Sequence, residues 1–132
     1  MTKPHTSPDL ADIDALARAA LKVIPAPLRK FAKDVVVLVE DFPSDEISAE
    51  MELETPFDLL GLYDGIALNE KEVGTSDDQP DMVILYRRPI LDYWGETGED
   101  LARIVRHVVI HEIGHHFGFS DADMEALEEA TD

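Results

Sequence analysis

At 132 residues, 45% of them apolar, the chain has material for one compact domain with a core, too little for two, and no composition of wholesale disorder. It contains no cysteine, which excludes disulfides and thiolate metal sites and leaves nitrogen and oxygen as the only metal donors. A net charge of −18, from 29 acidic and 11 basic side chains, repels phosphate backbones and argues against nucleic acid as a partner.

The acids are spread over residues 41–54, 77–81, 96–100 and 121–132. A solubilising shell is the favoured reading, and a field that attracts metal ions or basic peptides is the sharper one. The start of the chain lacks the apolar stretch of a signal peptide, and no run has the length of a membrane span, so the expectation is a cytoplasmic protein without a membrane partner.

In chain order, residues 1–8 are expected to form a mobile N-terminus. Ser7, Pro8 and Asp9 read as a helix start, with Ser7 capping and Pro8 in the first turn. Leu10, Ile13, Leu16, Ala17, Ala20, Leu21 and Ile24 follow at helical spacing, which predicts an N-terminal helix with one face on a core, ended by Pro25 and Pro27. A second short helical turn is expected over residues 28–31. The β-branched run over residues 35–39 predicts a buried strand, closed by Asp41 and Pro43.

Residues 43–58 are acidic and poorly patterned, a loop with one weak helical turn. A second strand is expected over residues 61–68, a solvated loop over 69–81, and a third strand over 82–88 with Pro89 just past it. Thr97, with Asp100 three residues on, matches a capping box. The helix it opens runs through Leu101, Ile104, Val105, Val108, Val109 and Ile113 to Gly118. The order helix, strand, strand, strand, helix predicts a single α+β domain over 1–132, with helices packed against one small mixed sheet.

The chemistry lies in His111-Glu112-Ile113-Gly114-His115-His116-Phe117-Gly118-Phe119-Ser120-Asp121. Residues four apart share a helix face, so His111 and His115 can aim their imidazoles at one point, as two ligands of a tetrahedral zinc ion. Glu112 lies about 100° round the helix. From there its carboxylate reaches the metal's open side and can accept a proton from water. A catalytic zinc needs a third protein ligand, and Gly118 lets the chain turn back so that Asp121 reaches the metal.

Other residues are less specific. His107 precedes His111 by one turn and is expected to border the site rather than ligate; His116 points away as a structural residue with its polar atoms satisfied; His5 sits in the terminus. Met124 reads as a core methionine, with soft support beneath the ligands as the lesser reading. Tyr63, Tyr86 and Tyr93 are equal candidates for polarising a substrate carbonyl, with the alternative that all three are simply core residues.

These residues resemble the small zincin-like metallopeptidase family. Leu28-Arg29-Lys30-Phe31 leading into Val35-Val36-Val37-Leu38-Val39-Glu40-Asp41 is similar to its first helix-to-strand stretch, and Leu59-Leu60-Gly61-Leu62-Tyr63-Asp64-Gly65 to its L-L-G-L-Y-x-G signature. Leu85-Tyr86-Arg87-Arg88-Pro89-Ile90 and Arg106-His107-Val108-Val109-Ile110-His111-Glu112 resemble its later strand and its active-site helix. The resemblance spans residues 20–127. It implies a minimal zincin-like α+β fold, with His111, His115 and Asp121 as metal ligands, Glu112 as general base, and a peptide or protein substrate. Two other readings stay open: a metal-stabilised interaction domain with little catalysis, and an amidase acting on a small molecule.

Overall fold

The computed structural model describes residues 7–65 and 81–131. The expectations that concern residues 1–6, 66–68 and 69–80, His5 among them, lie outside those residues. The elements in order are α1 (Leu10–Lys22), α2 (Ala26–Ala32), β1 (Val36–Glu40), α3 (Asp45–Glu50), a 3-10 turn (Pro56–Asp58), β2 (Gly61–Asp64), β3 (Met82–Tyr86), α4 (Arg87–Thr97), α5 (Leu101–His116) and α6 (Asp121–Thr131). Six helices and a three-stranded mixed sheet among the described residues make this the expected α+β class. No helix among them is long and apolar enough to cross a membrane.

The sheet order is β1-β3-β2, with β1 parallel and β2 antiparallel to β3. Residues 82–86 therefore form the central strand and not an edge. Its register pairs Val37 with Val83 and Val39 with Leu85 on the inner face, where Tyr63 also pairs with Val83. The expected buried first strand is instead an edge strand with one solvent face. Val36 and Leu38 are 44% and 40% exposed because alternate residues of a strand point to opposite sides.

Helices α1 and α5 cover the inner face. Ile13, Ala17 and Ala20 of α1 meet Ile104, Val105, Val108, Val109, Ile110 and Ile113 of α5, and Val83 and Leu85 join them in one cluster. Each fully buried aliphatic side chain of this size contributes roughly 1.5–3 kcal/mol. Leu10, expected on the core face, is 41% exposed at the helix start.

Several boundaries differ from those the sequence suggests. The cap of α1 is Asp9 rather than Ser7: Asp12 N–H donates to Asp9 Oδ1 at 2.8 Å and Asp9 N–H donates to Asp12 Oδ2 at 2.9 Å. Two reciprocal bonds satisfy more helix-end groups than a single hydroxyl would. Pro8 is buried, and its carbonyl accepts Arg87 Nε–H at 2.6 Å, so the end of the expected mobile segment is tied down.

The third strand stops at Tyr86, and the chain passes straight into α4, which places Pro89 in a first turn that tolerates it. Thr97 closes α4 and opens nothing; its hydroxyl donates to the Tyr93 carbonyl, and Gly98 ends the helix with φ at 70°. Asp100 alone caps α5, accepting from Arg103 N–H at 3.1 Å.

Candidate metal centre

The site is built at the end of α5 and the turn beyond it. Phe119 N–H donates to the Gly114 carbonyl at 2.9 Å and Gly118 N–H to the His115 carbonyl at 3.2 Å, the Schellman closure of a helix. Gly118 has φ at 87°, a conformation that favours glycine. Directly after it, Ser120 and Asp123 exchange backbone-to-side-chain hydrogen bonds of 3.1 and 3.2 Å, which start α6. Asp121 therefore enters as the first residue of a helix rather than on a loose bend.

That turn brings the predicted residues together. Asp121 Oδ1 lies 2.7 Å from His115 Nε2, and the donor atoms of His111, His115 and Asp121 all fall within 4.8 Å of one another. Hydrogen bonding to His115, together with the charges of His115 and His111, holds the Asp121 carboxyl below the usual carboxylate range. Burial, followed by the neighbouring charge of His107, pushes His111 toward its neutral form.

Glu112 faces the sheet. The Tyr63 N–H of β2 donates to its carboxylate, while burial raises its pKa above the ordinary 4.5, more than His115 and that hydrogen bond lower it. Close packing of β2 on α5 makes this contact feasible: a Cβ on Gly61 would lie 2.6 Å from Val108 Cγ1.

Sequence reasoning missed Glu128. Its Oε1 lies 2.9 Å from His111 Nε2 and its Oε2 lies 3.0 Å from His107 Nδ1, giving a second group of His107, His111 and Glu128 whose donor atoms cluster within 4.8 Å. The available signal was its spacing, seven residues after Asp121, which returns to the same helix face about 20° short of two turns. His107 also packs on the His111 ring, with centroids 3.9 Å apart.

The remaining residues take up distinct positions. The His116 ring stacks on Tyr63 at 3.9 Å, yet its buried Nε2 has no hydrogen-bond partner among the described residues, so it is only partly the satisfied side chain expected. Met124 is fully buried. Tyr63 donates its hydroxyl to Asp81 at 2.7 Å, and Tyr86 is 1% exposed. Of the three tyrosines, Tyr93 borders a cleft of about 290 Å³ whose wall includes His107, Val108 and Glu128.

A helix carrying two imidazoles and a half-buried glutamate, and a following helix that returns an aspartate to them, define a zincin-type arrangement. Residues 32–131 match the zincin-like metallopeptidase family, and the chain belongs to it. No curated protein matches the chain.

Proposed function

We propose that the protein is a zinc-dependent peptidase in which His111, His115 and Asp121 hold the metal and Glu112 is the general base. The observation that carries this reading is the convergence of one donor atom each from His111, His115 and Asp121 within 4.8 Å, beside a glutamate of raised pKa. The donor set fits zinc: two imidazole nitrogens and a carboxylate oxygen, with His111 Nε2 buried and lacking a hydrogen-bond partner among the described residues. When bound, zinc supplies Lewis acidity, polarising a substrate carbonyl and acidifying water.

The chain's own residues supply the rest. Glu112 accepts the proton of the attacking water at its carboxylate and returns it to the leaving amine; burial raises its affinity for that proton. The Tyr63 N–H fixes the carboxylate's orientation. An extended peptide is accommodated along β2, which pairs only with β3 among the described residues and adjoins Glu112. Basic segments are favoured by the net charge of −18.

Replacing Glu112 with Gln tests the assignment. Zinc content should stay at one ion per chain, while cleavage of a peptide library falls by about 10²–10⁴-fold. Cleavage at the wild-type rate would remove Glu112 from its role.

A further inference from the structure

Glu128 has no part in the three-ligand reading, yet its carboxylate sits against the same imidazole. His111 Nε2 and Glu128 Oε1 lie 2.9 Å apart, and both atoms are buried without a hydrogen-bond partner among the described residues. Buried nitrogen and oxygen atoms that close together need a shared positive charge to offset their desolvation, which a proton on His111 supplies as an ion pair and a metal ion supplies as a ligand bridge. The other oxygen, Oε2, is 3.0 Å from His107 Nδ1, so the carboxylate is oriented from behind in the way that outer hydrogen bonds orient metal-binding carboxylates.

We propose that Glu128, which shares only His111 with the group of His111, His115 and Asp121, turns in as a fourth protein donor when those three hold a cation. Glu128 then closes, in the resting protein, the coordination position that a catalytic zinc leaves for water. The inference rests on the metal-centre reading above and adds a regulatory step to it. A zinc with four protein ligands is closed, as structural sites are, whereas a catalytic one keeps a position open. Glu128 also borders the cleft of about 290 Å³ beside His107, so its carboxylate has space to leave the centre without unfolding α6. A substrate entering that cleft meets Glu128 before it meets His111, which makes release of this side chain a condition of turnover.

The test uses the full-length metal-free protein as wild type, Glu128→Gln and Glu128→Ala, each checked for an unchanged circular dichroism spectrum. Zinc affinity is measured by competition with a chromophoric chelator. Exogenous access is measured by adding azide to the cobalt(II)-loaded forms and following the visible bands. The expected result is one ion per chain, zinc binding weakened about 10–100-fold in both variants, and an azide response in Glu128→Ala at tenfold or more lower concentration than in wild type. Equal zinc affinity and equal azide response in wild type and Glu128→Ala would overturn the proposal. So would two zinc ions per wild-type chain, since His107, His111 and Glu128 would then hold a separate ion. If zinc binding is lost in His111→Ala and His115→Ala but untouched in both Glu128 variants, only this inference fails. If wild type binds no zinc at all, the metal-centre reading fails with it.

Discussion

Gly114 and Met124 occupy one another's space: a Cβ on Gly114 would collide with Met124 Sδ and stand 3.0 Å from its Cγ. The absent side chain lets α6 lie close against the end of α5. Gly114→Ala should destabilise the protein by about 1–2 kcal/mol, because overpacking costs roughly 1–3 kcal/mol and the better helix propensity of alanine returns part of it. In a denaturant-based double-mutant cycle, Met124→Ala should absorb at least about 1 kcal/mol of that cost. A neutral or stabilising Gly114→Ala would mean that the two helices do not approach so closely.

Zinc should act on stability as well as on chemistry. A ligand at 100 times its dissociation constant adds about 2.7 kcal/mol, which for a chain of this length raises the melting temperature by roughly 10 °C. Differential scanning calorimetry with zinc and then with excess chelator measures the gain and its reversal. His115→Ala should show neither, and a wild-type melting temperature indifferent to both additions would contradict a bound metal.

In the metal-free protein, Glu112 should be a stability cost. Burial raises its pKa, so the folded state binds the proton more tightly than the unfolded chain does. The penalty is absent below the ordinary value of 4.5, grows as pH rises through the window above it, and is complete once the folded group has ionised. Glu112→Gln should therefore be more stable than wild type in urea at neutral pH, with the difference shrinking as pH falls toward 4.5. A variant less stable than wild type at neutral pH would place the carboxylate in a better-solvated setting.

The alkaline limb has its own marker. Burial, then the charges of Glu40, Asp64 and Glu112, pushes the Tyr86 phenol from 10 up to about 12. The unfolded chain loses this proton first, so the corresponding stability is fully present below pH 10 and disappears as pH climbs to about 12. Tyr86→Phe should lose less stability over that interval, as followed by circular dichroism. Ultraviolet titration should show one phenolate fewer in the upper part of the curve. If Tyr86 ionises near 10 in the native protein, the buried setting is wrong.

How far the fold could be read in advance depended on the kind of signal. Helix α5 was legible because its apolar residues recur at helical spacing and because Gly118 ends it in a conformation that favours glycine. The spacing of His111, His115 and Asp121 foretold their meeting for the same reason. Helix α4 was hidden by Pro89, which looks like a terminator yet sits in a helix's first turn. Helix α6 was hidden by charge: its acids read as a solvated shell, masking Met124 and Leu127 on the core side. Glu128 was lost with it, since its neighbours on α5 emerge only once that segment is helical. The exposed face of β1 could not be told from an all-aliphatic run, because Val36 and Leu38 are no more polar than Val37 and Val39.

Asp121 opens α6 and Glu128 lies two turns along the same rod. Both carboxylates ride on one stiff segment, so its undocking withdraws them together, whereas the Glu128 side chain alone can swing away with the segment still seated. Lifting that rod from its seat beside Gly114 would strip the imidazoles of both carboxylates in one movement. If these groups hold a cation, undocking of α6 should release it, so its retention should respond to whatever grips that helix.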